Sequence, residues 1–364
     1  MLLYKDPDPD FSRLDKVFRR EGEPDRVPYI ELFADTRVME ALVGEPISRE
    51  DYLIPDSDDR SKMERALNRV IRFWFHMGYD YMTVISPPIF EITWQRTQDT
   101  ADLSKGQRRW ANEELGVISN WQDFEAFPWT KPEDIDYYAM EYVAKKLPEG
   151  MKIIFMSPGG QLENMMWLMG MVNLSLKLSD DPDLVEAVSM KVGETLVSMY
   201  KAVASMERVG ALWLGDDMGF NTGTLISPDH LRKYVFPWQK KLAKISHEQG
   251  LTFLLHSCGN LHTIMDELID DVGIDAKHSF QDIIMPITEA KKVYGERIAL
   301  LGGVDVDFLC RASEMEIRQY SRNVIDKCAP GGGYALGTGN SVANYIPLNN
   351  YSVMLEECRN YGMY

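Results

Sequence analysis

The strongest constraint on this chain is a regular alternation of short apolar runs with longer helical patterns. Eight runs of six to eight residues read as strands: 27–33 (VPYIELF), 79–85 (YDYMTVI), 152–157 (KIIFMS), 211–217 (ALWLGDD), 252–258 (TFLLHSC), 274–280 (IDAKHSF), 298–305 (IALLGGVD) and 333–340 (GYALGTGN). Most are continuously apolar, as parallel strands are when helices cover them. Eight β-then-α units in 364 residues predict an α/β fold, a (β/α)8 TIM barrel formed as one domain over 1–364, in preference to an open doubly wound sheet. No G-x-G-x-x-G follows the first run, so the dinucleotide-binding fingerprint is absent.

The helical stretches carry their own punctuation. Ser227-Pro228 predicts a helix start running to Gly250, and Asp181-Pro182 another running to about Arg208. Ser313 and Glu316 have capping-box spacing. A short helix is expected over 260–271. Residues 1–26 read as an N-terminal extension. Residues 87–150 are long for one β/α connection, which predicts an insertion between strands 2 and 3 over the barrel mouth.

Charge excludes several classes of partner. The chain has 39 Lys+Arg against 56 Asp+Glu, a formal net charge of −17. The densest basic run, 105–109, is short and is followed by Glu113 and Glu114. Nucleic acid and anionic membrane surfaces are therefore not expected as partners. Four cysteines are too few for a disulfide scaffold of this length. The N-terminus lacks the apolar run of a signal peptide, and no window is apolar enough to span a membrane. The expectation is a cytoplasmic protein with reduced thiols.

In a barrel of this kind, chemistry gathers at the C-terminal ends of the strands. By this reading Glu31, Asp80, Asp216, Asp217, His256, Cys258, His278, Asp305 and Asn340 converge on one mouth. His256-Ser257-Cys258 is the sharpest local feature, because residues i and i+2 of a strand face the same side. An imidazole and a thiol so placed suit a zinc ion with one open position; a structural His beside a buried Cys, or a Cys–His nucleophile pair, has the same spacing. Of the neighbours Asp216 and Asp217, one faces the mouth as ligand, base or substrate anchor, and a helix or loop cap is the alternative for either. Met156, Met165, Met166, Met169 and Met171 cluster with Trp167, either as wall of a flat apolar ligand site or as helix core. Cys310, Cys328 and Cys358 read as structural.

Five segments then carry a resemblance: DRVPYIELF, LGDDMGFNTGTLISPDHLRKYVFP, HSCGN, GERIALLGGVDVDFL and GGGYALGTGNSVANYIPLNNY. Together they resemble the uroporphyrinogen decarboxylase superfamily over nearly the whole chain. The resemblance implies a (β/α)8 barrel, a homodimer and a site at the strand ends. One branch of that superfamily decarboxylates uroporphyrinogen without a cofactor. The other comprises methyltransferases that exchange a methyl group with a corrinoid protein, with zinc activating the donor or acceptor.

The chain departs from the decarboxylase branch. Where that branch carries R-Q-A-G-R to hold carboxylates, this chain has Glu31-Leu32-Phe33-Ala34-Asp35, and where it carries G-H-G the chain has Gly339-Asn340-Ser341. His256-Ser257-Cys258-Gly259-Asn260 is similar to the zinc motif of the methyltransferases. Their third ligand is often a Cys at the position of Asn340, so another residue (Glu31, Asp217, Glu163 or Asp305) would have to complete a zinc site. The resemblance thus implies a zinc-assisted methyltransferase acting on a small methylated substrate (a methyl ether such as a methoxylated aromatic, a methylamine or a thiol) with a corrinoid protein as partner. His256 and Cys258 would be the metal ligands; Asp217, Glu31 and Asp305 the catalytic groups; Asp80, Met156, Asp216, His278 and Asn340 the substrate contacts. A metal-free decarboxylase and a non-catalytic tetrapyrrole or corrinoid binder are the alternatives.

Overall fold

The computed structural model of the chain describes residues 2–48, 60–104 and 106–364; the first residue of the basic run 105–109 lies outside them. The strands among the described residues are β1 (Tyr81–Ile85), β2 (Trp94–Gln98), β3 (Gln107–Ala111), β4 (Lys152–Met156), β5 (Val209–Gly215), β6 (Gly219–Phe220), β7 (Gly223–Thr224), β8 (Thr252–His256), β9 (Ala276–His278), β10 (Ala299–Leu301) and β11 (Tyr334–Ala335). Seven of them form one sheet in the order β1-β4-β5-β8-β9-β10-β11, every neighbouring pair parallel. Helices connect these strands, and the sheet curls as in a TIM-like barrel. The register aligns one end: Gly215 pairs with His256, His256 with His278, His278 with Leu301, and Leu301 with Ala335.

Residues 27–33 do not form a regular strand, which corrects the first of the eight expectations. Tyr29 makes an isolated parallel bridge to Leu336 on the outer edge of β11. Pro28 has no N–H to donate, so the ladder there consists of Ile30 N–H to the Leu336 carbonyl and Leu336 N–H to the Pro28 carbonyl. On the other side the segment meets β1 through a side chain. The Tyr81 hydroxyl accepts from the Glu31 N–H at 2.6 Å and donates to the Glu31 carbonyl at 2.5 Å.

The helix expected over 227–250 is two, Pro228–Tyr234 and Phe236–Glu248. Pro237 cannot donate back to residue 233, and the break falls just before it, at Val235. Ser313 and Glu316 do form the capping box. Between β1 and β4 the chain forms the β2–β3 hairpin, a helix Trp121–Ala126 and a helix Tyr138–Lys146. That last helix lies against the helix Arg60–His76, through Tyr142 and Asn68 at 3.2 Å and through Tyr138 and Glu64. The hairpin reaches the opposite loops: Arg108 lies 3.7 Å from Asp35 and 3.4 Å from Asn344. No helix among the described residues is long and apolar enough to cross a membrane.

The N-terminal residues pack against the other end of the strands. Asp80 directly precedes β1 and takes the Asp10 N–H at 2.8 Å and the Arg13 guanidinium at 3.1 Å. This corrects the placement of Asp80 among the mouth residues. It opens its run rather than closing it, so it sits at the N-terminal end of the barrel, away from any site at the strand ends. Arg13 also holds Asp25 at 2.6 Å and the Asp8 carbonyl at 3.0 Å. The Arg13 and Asp80 side chains are 9% and 4% exposed, so removing one leaves the other a buried unpaired charge. Arg13→Ala is expected to cost about 3–5 kcal/mol, read from denaturant unfolding. A loss below about 1 kcal/mol, as for a surface pair, would contradict this account.

Candidate metal centre at the strand ends

β8 ends on His256, and the chain continues extended through Ser257 to Cys258. Alternation puts His256 and Cys258 on one side and Ser257 on the other, where its hydroxyl accepts the Met218 N–H at 3.1 Å. Asp217 arrives from the neighbouring β5, two residues past the Gly215–His256 pair. Its Oδ1 accepts the Cys258 N–H at 2.7 Å and lies 3.7 Å from His256 Nε2, while Cys258 Sγ lies 3.4 Å from the same nitrogen. One donor atom from each of the three residues lies within 4.8 Å of the other two. Two ligands on a tetrahedral zinc, with bonds of ~2.0–2.3 Å, stand roughly 3.3–3.8 Å apart. The two separations to His256 Nε2, 3.4 Å from the sulfur and 3.7 Å from the carboxylate oxygen, match that spacing, and the three donor types suit zinc.

Asp216 turns the opposite way. Its carboxylate accepts from the N–H groups of Gln161 (3.0 Å), Leu162 (2.9 Å) and Glu163 (3.1 Å) and from Gln239 Nε2 (2.7 Å). These include the first three N–H groups of the helix Gln161–Met169, whose cap residue Gly160 has no side chain to satisfy them. Asp216 is fully buried and fully engaged, so it holds this helix rather than a substrate.

A hydrogen-bonded relay sets the chemical form of His256. Its Nδ1 faces His278 Nδ1 at 2.8 Å, and His278 Nε2 faces the Thr338 carbonyl at 3.2 Å. Burial, with the Lys277 charge nearby, pushes His256 down to about 3, and the same causes together with His256 itself hold His278 well below the usual histidine range. Both rings are neutral at physiological pH. A carbonyl only accepts, so His278 Nε2 carries the proton and His278 Nδ1 accepts. His256 must then carry its proton on Nδ1, leaving the Nε2 lone pair directed at Cys258 and Asp217. That is the tautomer a metal requires, fixed by an outer partner. His278, fully buried and edge-on to Trp213, therefore supports His256 instead of touching substrate, a correction to its expected role.

The relay ends at Glu31, which the sequence suggested as a catalytic group or ligand. Glu31 is fully buried, and its carboxyl group meets the Thr338 N–H at 2.8 Å and the Thr338 hydroxyl at 2.5 Å. It stands behind Thr338 and outside the metal cluster. Burial pushes it up to about 8, with the Thr338 donors pulling the other way. The folded state thus favours the neutral acid. That contribution to stability is full below the ordinary glutamate value of 4.5 and is lost as pH rises through about 8. Wild-type protein is expected to lose unfolding free energy between roughly pH 5 and 8, and Glu31→Gln to lose less. Urea unfolding of both at three pH values checks this; equal slopes would mean that Glu31 folds as a carboxylate.

Asp305 lies at the mouth end of β10, but its oxygens accept the Phe308 N–H at 3.0 Å and the Asp282 N–H at 3.2 Å. It is a helix cap, not a free acid. Met156 closes β4 and is buried in the core with Met165, Met166 and Met169. Asn340, standing where a third thiolate ligand was considered, brings its amide nitrogen within 3.3 Å of the Cys258 sulfur. Without a cation, burial and the Asp217 charge push the Cys258 thiol up to about 12. Burial, with Asp217, Asp216 and Glu113 near, holds Glu163 well above the usual carboxylate range.

Sequence reasoning missed Glu113, Lys277, Ser279 and Thr338. Only Lys277 and Ser279 carried any signal, as the neighbours of His278. Lys277 is buried, and burial pushes it down to about 8.

Residues 116–361 match the uroporphyrinogen decarboxylase (URO-D) family. Over 132 residues the chain is 27% identical to the methylcobamide:CoM methyltransferase MtaA of Methanosarcina barkeri, a stretch that covers 36% of each protein. The chain thus spans about a third of the length of that curated relative. A methyltransferase from Methanosarcina mazei shares the fold, with a TM-score of 0.68 at 15% identity over 96% of this chain and 98% of that one.

Proposed function

The chain belongs to the uroporphyrinogen decarboxylase family, and from that premise we propose that it is a corrinoid-dependent methyltransferase, moving a methyl group between a small methylated compound and a corrinoid protein. The observation that carries this reading is the cluster of Asp217, His256 and Cys258. These three residues would hold zinc, with Asp217 as the third ligand in place of the cysteine that Asn340 replaces. Zinc so held would supply Lewis acidity at the heteroatom that bears or receives the methyl group.

The other residues have separable tasks. His256 offers a neutral nitrogen because His278 fixes its proton on the far side. Asp217 and Cys258 bring negative charge that a cation is needed to balance. Burial beside Asp217 biases Glu163 toward its neutral form, which would let it give a hydrogen bond or a proton to an oxygen or nitrogen leaving group. Met156 and Asn340 are the substrate contacts in this reading. The absence of arginines at 31–35 disfavours a substrate with many carboxylates, and so true uroporphyrinogen decarboxylation.

Phe220, Ile283 and Tyr345 are exposed on segments that follow β5, β9 and β11. They form the landing surface for the corrinoid protein in this proposal, and the family resemblance adds a homodimer. The test is methylation of reduced cobalamin or a corrinoid protein by purified enzyme, with methoxylated aromatics, methylamines and methyl thioethers as donors and thiols as acceptors for the reverse reaction. Formation or consumption of methyl-cobalt with one of them is expected. Failure with all, in both directions, would sink the assignment.

A further inference from the structure

Cys258 is held by more than its neighbours in the metal cluster. Its sulfur lies 3.5 Å from the Ser279 hydroxyl, as well as 3.3 Å from the Asn340 amide nitrogen. Ser279 has φ of +79°, in the left-handed region. Of the described non-glycine residues only Arg20 and Arg208 share a positive φ, and Arg20 is a helix C-cap. A serine stays in that region only when its surroundings hold it there.

The residue placed to hold it is Lys277. Lys277 lies on β9 and is 5% exposed. Its ammonium donates to the carbonyls of Ser279 at 2.7 Å, His278 at 3.2 Å and Ser257 at 3.3 Å, and stands 4.4 Å from the Phe280 ring centre. Three donors meet three acceptors, so the ammonium is fully used within the fold. Two of those carbonyls follow Lys277 on its own strand end. The third belongs to the residue between His256 and Cys258. One buried charge therefore ties together the two strand ends that carry the metal cluster and its support.

We propose that Lys277 is a positioning residue for the Cys258 ligand: by gathering these three carbonyls it holds Ser279 in the left-handed conformation that points its hydroxyl at the sulfur. The hydroxyl and the Asn340 amide then form a two-donor cradle around the thiolate. Hydrogen bonds to a metal-bound thiolate withdraw charge from the sulfur and tune the metal, which makes these residues part of the site's chemistry. The proposal rests on the metal-site reading above and adds to it how the thiolate is oriented.

Cobalt(II) loading of the whole protein tests it apart from activity. Wild type is expected to show sulfur-to-cobalt charge-transfer absorption. Lys277→Met is expected to weaken cobalt binding at least ~10-fold in competition with a chelator and to shift that absorption. Ser279→Gly accepts the positive φ, removes the hydroxyl and is expected to shift the absorption in the same direction. If Lys277 acts through Ser279, adding Lys277→Met to Ser279→Gly weakens binding by less than ~3-fold more. Wild-type absorption and affinity in both single variants would overturn the proposal, as would fully additive effects in the double variant. Should Lys277→Met fail to fold, an unchanged absorption in Ser279→Gly overturns it alone. A wild type without any thiolate–cobalt absorption would instead refute the metal site itself, and this proposal with it.

Discussion

Cys258→Ala and His256→Ala are each expected to abolish zinc binding and to lower methyl transfer by at least about a thousandfold, a loss of ~4 kcal/mol or more of transition-state stabilisation. Wild-type protein should carry about one zinc per chain, the number a three-ligand site with an open position holds. The reason is the small donor set. Cys258 gives the only thiolate of the cluster, and His256 the only imidazole. Losing either leaves two ligands, with Asp217 already accepting the Cys258 N–H. Asp217→Asn is expected to bind zinc more weakly yet measurably, because an amide oxygen is a poorer ligand than a carboxylate. Cys328→Ala is the control: Cys328 is buried in the helix Glu314–Cys328 and should retain full metal content. Elemental analysis of untagged protein reads all four variants. Equal zinc in wild type and Cys258→Ala would place the metal elsewhere and remove the support for methyl transfer through this site.

Asp216→Ala should be the most destabilising substitution near the site, at about 3–5 kcal/mol. Four donors converge on its two oxygens, three of them backbone groups at a helix start. Each buried donor left unsatisfied costs ~1–3 kcal/mol, and partial relaxation keeps the total below the sum. The effect reaches the chemistry, because Glu163 is the third residue of that helix. Asp216→Asn should fall between, since its amide oxygen still accepts while its NH2 opposes other donors. Gly160 shows how tight the junction is: a Cβ there would come within 2.2 Å of Asp216 Cβ. Denaturant unfolding, with zinc content measured alongside, separates this cost from a ligand role. If Asp216→Ala unfolded like wild type but lost its metal, Asp216 and not Asp217 would be the ligand.

These two aspartates show where local reasoning stops. Strand alternation says that neighbours point to opposite faces, but it does not say which face is which once the strand has ended. β5 stops at Gly215, and the turn that follows sends Asp216 to the helix start and Asp217 to Cys258. Asp80 shows another limit. Asp80 is expected at the mouth, but it stands second in an apolar run that begins at Tyr79, and it lies at the N-terminal end of the barrel beside Arg13. Asp305 and Glu31 are expected from their positions along the chain to meet at the barrel mouth as catalytic groups. What they touch instead, a helix start and Thr338, depends on residues distant in sequence.

The chain's periodicity by itself determined the α/β class, seven of the eight strands, and the pairing of His256 with Cys258. Each of these follows from spacing along one local segment. Tertiary structure alone decided that Asp217 joins them, that His278 sets the His256 proton, and that Lys277 and Ser279 support the sulfur. Those contacts link strands 20 to 60 residues apart and depend on register, burial and a single left-handed φ. Such properties arise only when the sheet closes, because burial removes water as the competing partner and leaves each polar atom only the neighbours that the fold supplies.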